Sequence, residues 1–361
     1  MATLIDKLST AGAPETELVN ECPLCRSRES NFLFWNVDRL HHLPGRFALI
    51  QCAGCGLARL SPRPKKEHLG FYYPEEDYYS YQSNEDDPSN QIASRKLIGG
   101  LRDRIRYSVL ESLGYAVPEL NAWQKLFQPL FVKFLKEQAT FGWNDRLPRF
   151  VQGGKALEVG CGSGYALKVL KSLGWQVNGI EMSRKASQSA KELYDIDVFC
   201  GEIADAPFDR ESFDYVHLSH VIEHLTDPVE ELKNIAVFMK PGAIIYIEAP
   251  NIESYGQHKS GRHWLHWDSP RHLFGFSPET IGKTVEKSGL KTNAITTRRG
   301  DFWEWETIYA LEEETGEKLG DRTQRLAGKE IKRLPRRLEN KMKFRRNRNY
   351  GDTLCCWAVK Q

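Results

Sequence analysis

The stretch Ala156-Leu-Glu-Val-Gly-Cys-Gly-Ser-Gly164 decides the fold of this 361-residue chain. An apolar run, Ala156–Val159, leads into a glycine-rich turn, and the following residues, Tyr165–Leu173, have the apolar spacing of a helix. Glycine lets the backbone turn tightly and come close to a ligand. A strand that opens into a helix through such a turn therefore predicts a cofactor loop.

The alternation of strand and helix continues beyond this loop. Further strands are predicted at Trp175–Glu181, Ile196–Cys200, Phe213–Ser219, Ala243–Ala249, Leu290–Thr297 and Asp352–Lys360. Further helices are predicted at Ser183–Tyr194, Pro228–Met239 and Pro278–Ser288. This order indicates parallel strands joined by helical crossovers, so we predict a doubly wound, Rossmann-like α/β sheet.

Two residues, Tyr165 and Glu158, decide between the cofactors that such a loop can hold. Tyr165 occupies the last glycine position of the dinucleotide fingerprint GxGxxG, so that fingerprint fails. Glu158 would repel a pyrophosphate, which prefers helix N-terminal amides without a nearby acid, but it suits the cationic end of S-adenosylmethionine (SAM). Glu181 is spaced to hydrogen-bond a ribose diol. The loop thus predicts SAM binding; the alternative is a glycine turn with a solvated glutamate.

Residues 150–300, with the last strand, resemble the class I SAM-dependent methyltransferases. The first motif of that family is matched by Glu158, Gly160, Gly162 and Gly164. The resemblance implies that Glu181 binds the ribose, that Met182 lies beside the adenine, and that the turn Gly201–Ile203 contacts the adenine, with Glu202 where an aspartate is more usual. It also implies an antiparallel hairpin, formed by the last two strands. The predicted cofactor-binding set is Glu158, Gly160, Cys161, Gly162, Gly164, Glu181, Met182, Glu202, Ile203 and Ser219.

The fourth strand and its continuation, Phe213-Asp-Tyr-Val-His-Leu-Ser-His-Val-Ile-Glu-His-Leu-Thr-Asp-Pro228, carry a more specific resemblance. Similar "EH…DP" segments occur in the ubiquinone-pathway O-methyltransferases and in many sugar methyltransferases. Base N-methyltransferases usually carry an Asn/Asp-Pro-Pro-aromatic motif there, and this chain has Ser219-His-Val-Ile222 instead. The segment therefore favours a hydroxyl or carbon acceptor.

The cysteine pairs Cys22-Pro-Leu-Cys25 and Cys52-Ala-Gly-Cys55 have the spacing of two zinc knuckles. Four thiolates would bind one tetrahedral Zn²⁺ and leave no open position, so we predict a structural zinc site on Cys22, Cys25, Cys52 and Cys55. A redox CxxC is the alternative. The stretch that runs from Cys52 through the tyrosines up to Tyr81 is similar to the zinc-binding heads of methyltransferases from saccharide-biosynthesis clusters.

Histidines follow the fourth and fifth strands, at the edge where a doubly wound sheet opens its ligand crevice. A neutral imidazole can accept the proton that a hydroxyl or carbon acid loses during methyl transfer. We predict the base among His224, His220 and His272, with the segment Gly261–Phe274 over the acceptor; packing is the alternative for each. His220-Val-Ile-Glu-His224 also matches the inverted zinc-protease motif, but that motif needs both histidines on one helix.

The predicted organisation has three parts. Residues 1–61 form the zinc module, 62–150 a Tyr-rich and helical linker, and 151–361 the methyltransferase domain with a basic helical insertion at about 301–350. The segment 321–349 contains twelve Lys/Arg and only three acidic residues, although the net charge of the whole chain is only +2. This segment could contact an anionic surface.

No apolar run reaches the ~20 residues of a membrane span, and the N-terminus lacks a signal-peptide core. We therefore expect a cytoplasmic protein, where reduced thiols favour metal over disulfides. The predicted function is SAM-dependent methylation of a hydroxyl or carbon of a small acceptor, a sugar or glycan precursor. The alternative is an RNA methyltransferase that uses the zinc module and the basic segment, although nucleic acid is the less favoured partner. A third interpretation is an inactive docking protein.

Overall fold

The structure is a computed structural model that describes residues 12–74, 101–130, 146–299, 342–344 and 347–361. The predicted basic insertion lies largely outside these residues, and the predicted linker is described only in part. In the described residues, the strands are β1 (Thr16–Glu17), β2 (Ser30–Asn36), β3 (Phe47–Cys52), β4 (Ala58–Leu60), β5 (Arg63–Pro64), β6 (Lys155–Val159), β7 (Gln176–Glu181), β8 (Val198–Cys200), β9 (Phe213–Ser219), β10 (Met239–Pro250), β11 (Phe274–Gly275), β12 (Leu290–Arg298) and β13 (Thr353–Lys360).

Helices follow the strands as the sequence pattern predicts. The α-helices are α1 (Leu101–Ser112), α2 (Ala122–Leu130), α3 (Tyr165–Ser172), α4 (Arg184–Tyr194), α5 (Pro228–Phe238), α6 (Tyr255–Ser260) and α7 (Pro278–Lys287). Short 3₁₀ helices lie at Lys66–Tyr72, Ile203–Asp205, Ile222–His224, Gly261–His263, Leu265–Trp267 and Arg348–Tyr350. The ends of α4 and α7 are fixed by side chains: Ser183 Oγ accepts from the Ala186 amide, and Ser277 with Thr280 forms a capping box.

The strands of the described residues form one large sheet and two small ones. The large sheet has the order β12-β13-β10-β9-β6-β7-β8. Strands β6, β7 and β8 are parallel, whereas β12 and β13 pair antiparallel from Leu290 opposite Lys360 to Arg298 opposite Thr353. The predicted Rossmann-like sheet with an antiparallel end is thus confirmed. A second sheet has the order β11-β4-β3-β2, and β1 pairs with β5.

The chain divides into two compact units, the second of which comprises described residues within Glu76–His217 and Phe238–Tyr246. It carries the parallel strands and packs them around Leu157, Leu167 and Ile180, which are buried. The Trp175 indole donates to Tyr115 Oη at 3.1 Å, so that the polar tips of both rings are satisfied inside this core.

The first unit comprises described residues within Met1–Glu75, Leu218–Val237 and Ile247–Gln361. It contains the cysteine segment, the four-stranded sheet and the β12–β13 hairpin. A buried ion pair joins its segments: the Arg271 guanidinium makes bidentate bonds to Asp38 at 2.7 and 3.1 Å and bonds to Asp268 at 3.0 Å. The predicted division at 61 and 150 stays a prediction.

Candidate functional site: a glycine loop, a cysteine cluster and a histidine cluster

The glycine loop after β6 adopts backbone angles that only glycine takes easily. Gly160, Gly162 and Gly164 have φ of 65°, 51° and 80°. A Cβ on Gly164 would lie 2.8 Å from the Cβ of Ala190, so the loop also needs glycine for the close approach of α4. The amides of Gly160 and Cys161 both donate to the Ile180 carbonyl, at 2.8 and 3.3 Å. The loop is therefore held against β7, as its sequence pattern predicts.

Glu181 fastens the loop from the end of β7. Its Oε2 accepts from the Gly162 amide at 2.8 Å, and its Oε1 accepts from the Ser183 amide at 2.9 Å. Burial raises the pKa of Glu181, against the opposing effect of these amide donors. A carboxylate offers about four acceptor sites, so Glu181 can accept from a ribose hydroxyl as well as from backbone amides.

Glu158 has a partner that the sequence analysis missed. Its carboxylate is 4% exposed, and Oε1 lies 3.0 Å from Nδ1 of His217, which is also buried. The His217 ring stacks on Tyr246 with centroids 5.6 Å apart. The other oxygen, Oε2, is buried and accepts no hydrogen bond from the residues that the structure describes. His217, predicted as core, is buried and also orients Glu158.

The remaining predicted cofactor residues differ in exposure and position. The Gly201 amide donates to the Glu181 carbonyl at 3.0 Å, so the 201–203 turn meets the end of β7. Met182 is 65% exposed, whereas Ile203 and Cys161 are buried. Burial raises the pKa of the Cys161 thiol, which makes it unreactive. Glu202 precedes the 3₁₀ turn Ile203–Asp205, and Ser219 ends β9; their cofactor roles stay predictions.

The four cysteines of the two CxxC pairs converge within the first unit. The four Sγ atoms all lie within 4.8 Å of one another, and the Sγ–Sγ distance is 3.6 Å for Cys22 and Cys55 and 3.4 Å for Cys25 and Cys52. Sulfur atoms around a tetrahedral zinc, with bonds of about 2.3 Å, lie roughly 3.8 Å apart. None of the four is in a disulfide. The spacing and the donor set thus fit one Zn²⁺.

Backbone amides point at the cysteine sulfurs, as zinc knuckles require. The amides of Cys55 and Gly54 donate to Cys52, and those of Cys25 and Leu24 donate to Cys22. A Cβ on Gly54 would lie 3.3 Å from the Ser27 Cβ and 3.4 Å from the Cys25 sulfur, so this turn has little room for a side chain. Burial alone would raise the pKa of Cys52, but the amide and thiol donors lower it to about 6.

His220, directly after β9, has an unusual backbone and an acidic environment. Its φ of 56° lies in the left-handed region, which is uncommon for a residue with a side chain. The ring is partly exposed, with Nδ1 3.3 Å from Glu223 Oε1 and Nε2 3.8 Å from Glu248 Oε1. The Arg298 guanidinium donates to the same Glu248 carboxylate.

His224 and His272 lie face to edge around Glu223, with ring centroids 4.6 Å apart. His224 Nδ1 is 3.1 Å from the Arg271 carbonyl and 2.9 Å from Tyr73 Oη. Burial and the charge of His272 lower the pKa of His224 to about 4, so this imidazole is neutral at physiological pH. We call this set the histidine cluster: Tyr73, His220, Glu223, His224, His266 and His272.

The segment 261–274 is more tightly packed than its sequence suggests. Trp264 and Trp267 are buried, and Arg271 is fully engaged by Asp38, Asp268 and the Tyr72 carbonyl. These side chains position His266 and His272 and are not presented to a ligand. Tyr73 was not predicted and Glu223 had no specific predicted role, because both act through contacts that span distant segments.

His220–His224 is not a helical metalloprotease motif. β9 ends at Ser219, and only a short 3₁₀ turn, Ile222–His224, precedes α5.

None of the described helices has the length and hydropathy needed to cross a bilayer.

A Rossmann-like sheet with a glycine loop directly after its first parallel strand is the architecture of the class I SAM-dependent methyltransferases. A family model described as a methyltransferase domain matches residues 132–294. The chain is therefore a SAM-dependent methyltransferase, and the class predicted from the sequence is confirmed.

Similar proteins include two O-methyltransferases of ubiquinone biosynthesis. The one from Coxiella burnetii is 28% identical over 182 residues, which cover 47% of this chain and 74% of that protein. The one from Rhizobium etli is 28% identical over 194 residues, which cover 49% and 75%. A solved SAM-dependent methyltransferase from Archaeoglobus fulgidus superposes with a TM-score of 0.43 at 20% identity, covering 66% of this chain and 100% of that one.

Proposed function

We propose that this methyltransferase transfers the SAM methyl group to a hydroxyl of a small acceptor, a sugar or glycan precursor. The observation that carries this proposal is the histidine cluster directly after β9. Methylation of an alcohol releases a proton, and a cluster of imidazoles beside a carboxylate is suited to accept it. The relatives named as O-methyltransferases support a hydroxyl over a carbon acceptor.

SAM would be held by the glycine loop and by two acids that bind different parts of the cofactor. Glu158 Oε2, buried and without a hydrogen bond from described residues, would accept from the SAM ammonium. Glu181 would accept from the ribose hydroxyls with its remaining lone pairs. Met182 and the 202–203 turn would contact the adenine.

We assign the base to His220, with His224 and His272 as the other candidates. Glu223, 3.3 Å from Nδ1, would orient the ring and stabilise its protonated form, as a carboxylate does for a catalytic histidine. His220 is also the more exposed of the candidates, whereas the low pKa of His224 makes it a weak base. The acceptor proton would pass to His220 as the oxygen bonds to the SAM methyl and the sulfur leaves as a neutral thioether.

A panel of acceptors tests this function. Purified protein with methyl-labelled SAM would be offered nucleotide-linked sugars, a catechol and total RNA, and labelled products would be identified by mass spectrometry. We expect label in a saccharide, which a deoxy analogue that lacks the methylated hydroxyl does not take up. Label in the catechol alone would contradict the saccharide assignment, and label in RNA alone would contradict a small acceptor.

We further propose that the four cysteines hold one structural zinc. Zinc supplies folding energy to such modules and, with four protein ligands, has no open position for chemistry. Metal analysis of purified protein should find zinc on the cysteines, and Cys52→Ser should lower the midpoint of thermal unfolding. Four readily titratable thiols in protein of unchanged stability would contradict this site.

A further inference from the structure

We infer that Glu223, His224 and His272 form a second metal site, which binds a divalent transition-metal ion. One ligand atom from each of the three residues lies within 4.8 Å of the other two. All three belong to the first unit but come from two segments that are separated by some fifty residues of sequence. The inferred site is distinct from the cysteine cluster in both residues and chemistry.

Both histidines are oriented as metal ligands are. His272 Nδ1 lies 2.7 Å from the His266 carbonyl, and His224 Nδ1 lies 3.1 Å from the Arg271 carbonyl. A carbonyl can only accept, so each Nδ1 carries the proton and each Nε2 presents a lone pair. Metal-bound histidines nearly always donate their second N–H to such a carbonyl or carboxylate, which fixes the ring and raises its basicity.

Glu223 supplies a buried charge that the protein leaves incompletely satisfied. The side chain is 1% exposed, and neither oxygen accepts a hydrogen bond of normal geometry from the described residues. The nearest imidazole nitrogens are His220 Nδ1 at 3.3 Å and His272 Nε2 at 4.0 Å, the latter too far for a hydrogen bond. A buried carboxylate without well-formed hydrogen bonds is costly unless an ion neutralises it. A divalent cation would do so.

The donor set selects the kind of ion. Two imidazoles and one carboxylate are the ligands of catalytic Zn²⁺ and of related transition-metal sites, whereas Mg²⁺ and Ca²⁺ prefer oxygen alone. Ligand atoms around a tetrahedral ion lie roughly 3.3 Å apart, given bonds of about 2.1 Å. The present separations, which are within 4.8 Å, would need to shorten by up to about 1.5 Å, a distance that side-chain rotations can provide. Three protein ligands leave a position open.

The chemical consequence rests on the proposed function, although metal binding itself does not. An ion with an open position would bind the acceptor hydroxyl oxygen and lower its pKa. His220 would still accept the proton, and the oxygen would take the methyl group from SAM. A vicinal diol, as in a sugar, could fill the open position and a fifth one, since such an ion can expand to five-coordinate, and so would be favoured over an isolated alcohol.

Cobalt titration tests the site without any need for the acceptor. Protein whose cysteines already hold zinc would be titrated with Co²⁺, with metal content and visible absorption measured together. We expect one further equivalent of Co²⁺, with a spectrum that lacks the intense thiolate charge-transfer bands. His272→Gln and Glu223→Gln should each weaken this binding by at least ~10²-fold.

His258→Gln provides a matched control. Its Nδ1 also lies within hydrogen-bond distance of a backbone carbonyl, Ser254 at 2.9 Å, but it is outside the histidine cluster. This variant should bind Co²⁺ like the wild type. If wild-type protein takes up no Co²⁺ beyond the zinc already bound, the metal site is overturned, even if the other variants misfold. Methyl transfer that persists in such protein would leave the proposed function intact, so the two failures can be told apart.

Discussion

The glycine loop and the histidine cluster both place a buried carboxylate beside histidine, but they are built differently. The loop takes Glu158, its glycines and Glu181 from one continuous strand–helix–strand segment. The cluster combines Tyr73, the turn after β9 and the segment that ends at His272. The comparison teaches that the proposed cofactor site is encoded locally, whereas the proposed acceptor site in the same chain is assembled from distant segments.

The two regions also differ in electrostatics. Burial raises the pKa of Glu181, which is surrounded by backbone amides. Burial would do the same to Glu223, but the nearby imidazoles of His220, His272 and His224 hold its pKa below the usual range. Glu223 is therefore a charged group around which the histidines are arranged.

The largest expected effect is a loss of turnover in variants of the histidine cluster, without a loss of SAM affinity. His220→Ala should reduce kcat by ~10²–10⁴-fold, the usual cost of losing a general base, with an unchanged Kd for SAM. Single-turnover rates and calorimetry would measure the two quantities, with His258→Ala as the control. His224→Ala and His272→Ala belong to the same series. If all three variants of the cluster keep near-wild-type turnover, the base lies elsewhere.

A second substitution tests whether the cluster depends on tertiary contacts. Asp38→Asn removes one charge that faces the buried Arg271 and should lower the free energy of unfolding by about 3–5 kcal/mol. Denaturant titration measures this cost. Glu21→Gln, which breaks the exposed pair with Arg28, should leave the midpoint unchanged. Equal effects of the two substitutions would show that the buried pair is not a structural anchor.

The glycine loop is tested by cofactor affinity. Glu181→Ala should weaken SAM binding by ~10²-fold, because each lost hydrogen bond to a charged group is worth about 1.5–3 kcal/mol. At saturating SAM, kcat should remain within a few-fold of the wild type. Glu192→Ala, on the exposed face of α4, serves as the control in the same calorimetric titration. A loss of kcat without a change in Kd would contradict the ribose-binding role.

The smallest expected effect is the loss of stability when the N-terminal side-chain cap of α4 is removed. Ser183→Ala removes the side-chain cap of α4 and should cost about 1 kcal/mol of stability. SAM affinity should change little, since the Ser183 backbone amide still donates to Glu181. Ser189→Ala, within the same helix, should be neutral or slightly stabilising. Thermal unfolding of the two variants measures the difference, and a cap that costs nothing would show that tertiary packing alone fixes this helix.

Most of the fold could be predicted from sequence because strand and helix periodicities are local. The predicted strands from 156 to 297 and the last strand agree with the structure to within a few residues, apart from β10, which begins at Met239 instead of Ala243. Less of the candidate site could be predicted. The cysteine spacing and the glycine turn are visible in short segments, but the partners of Glu158 and Glu223 are not.

By itself, the sequence determined the parallel sheet, the glycine loop and the two CxxC motifs, since each depends on residues a few positions apart. Only the tertiary structure decided that His217 would face Glu158 from another strand and that Tyr73 would reach His224. It also decided that Arg271 would be used internally by Asp38 and not be presented to a ligand. The physical reason is that a buried charge takes the partner that the fold brings nearest, and this choice leaves no periodic trace in the chain.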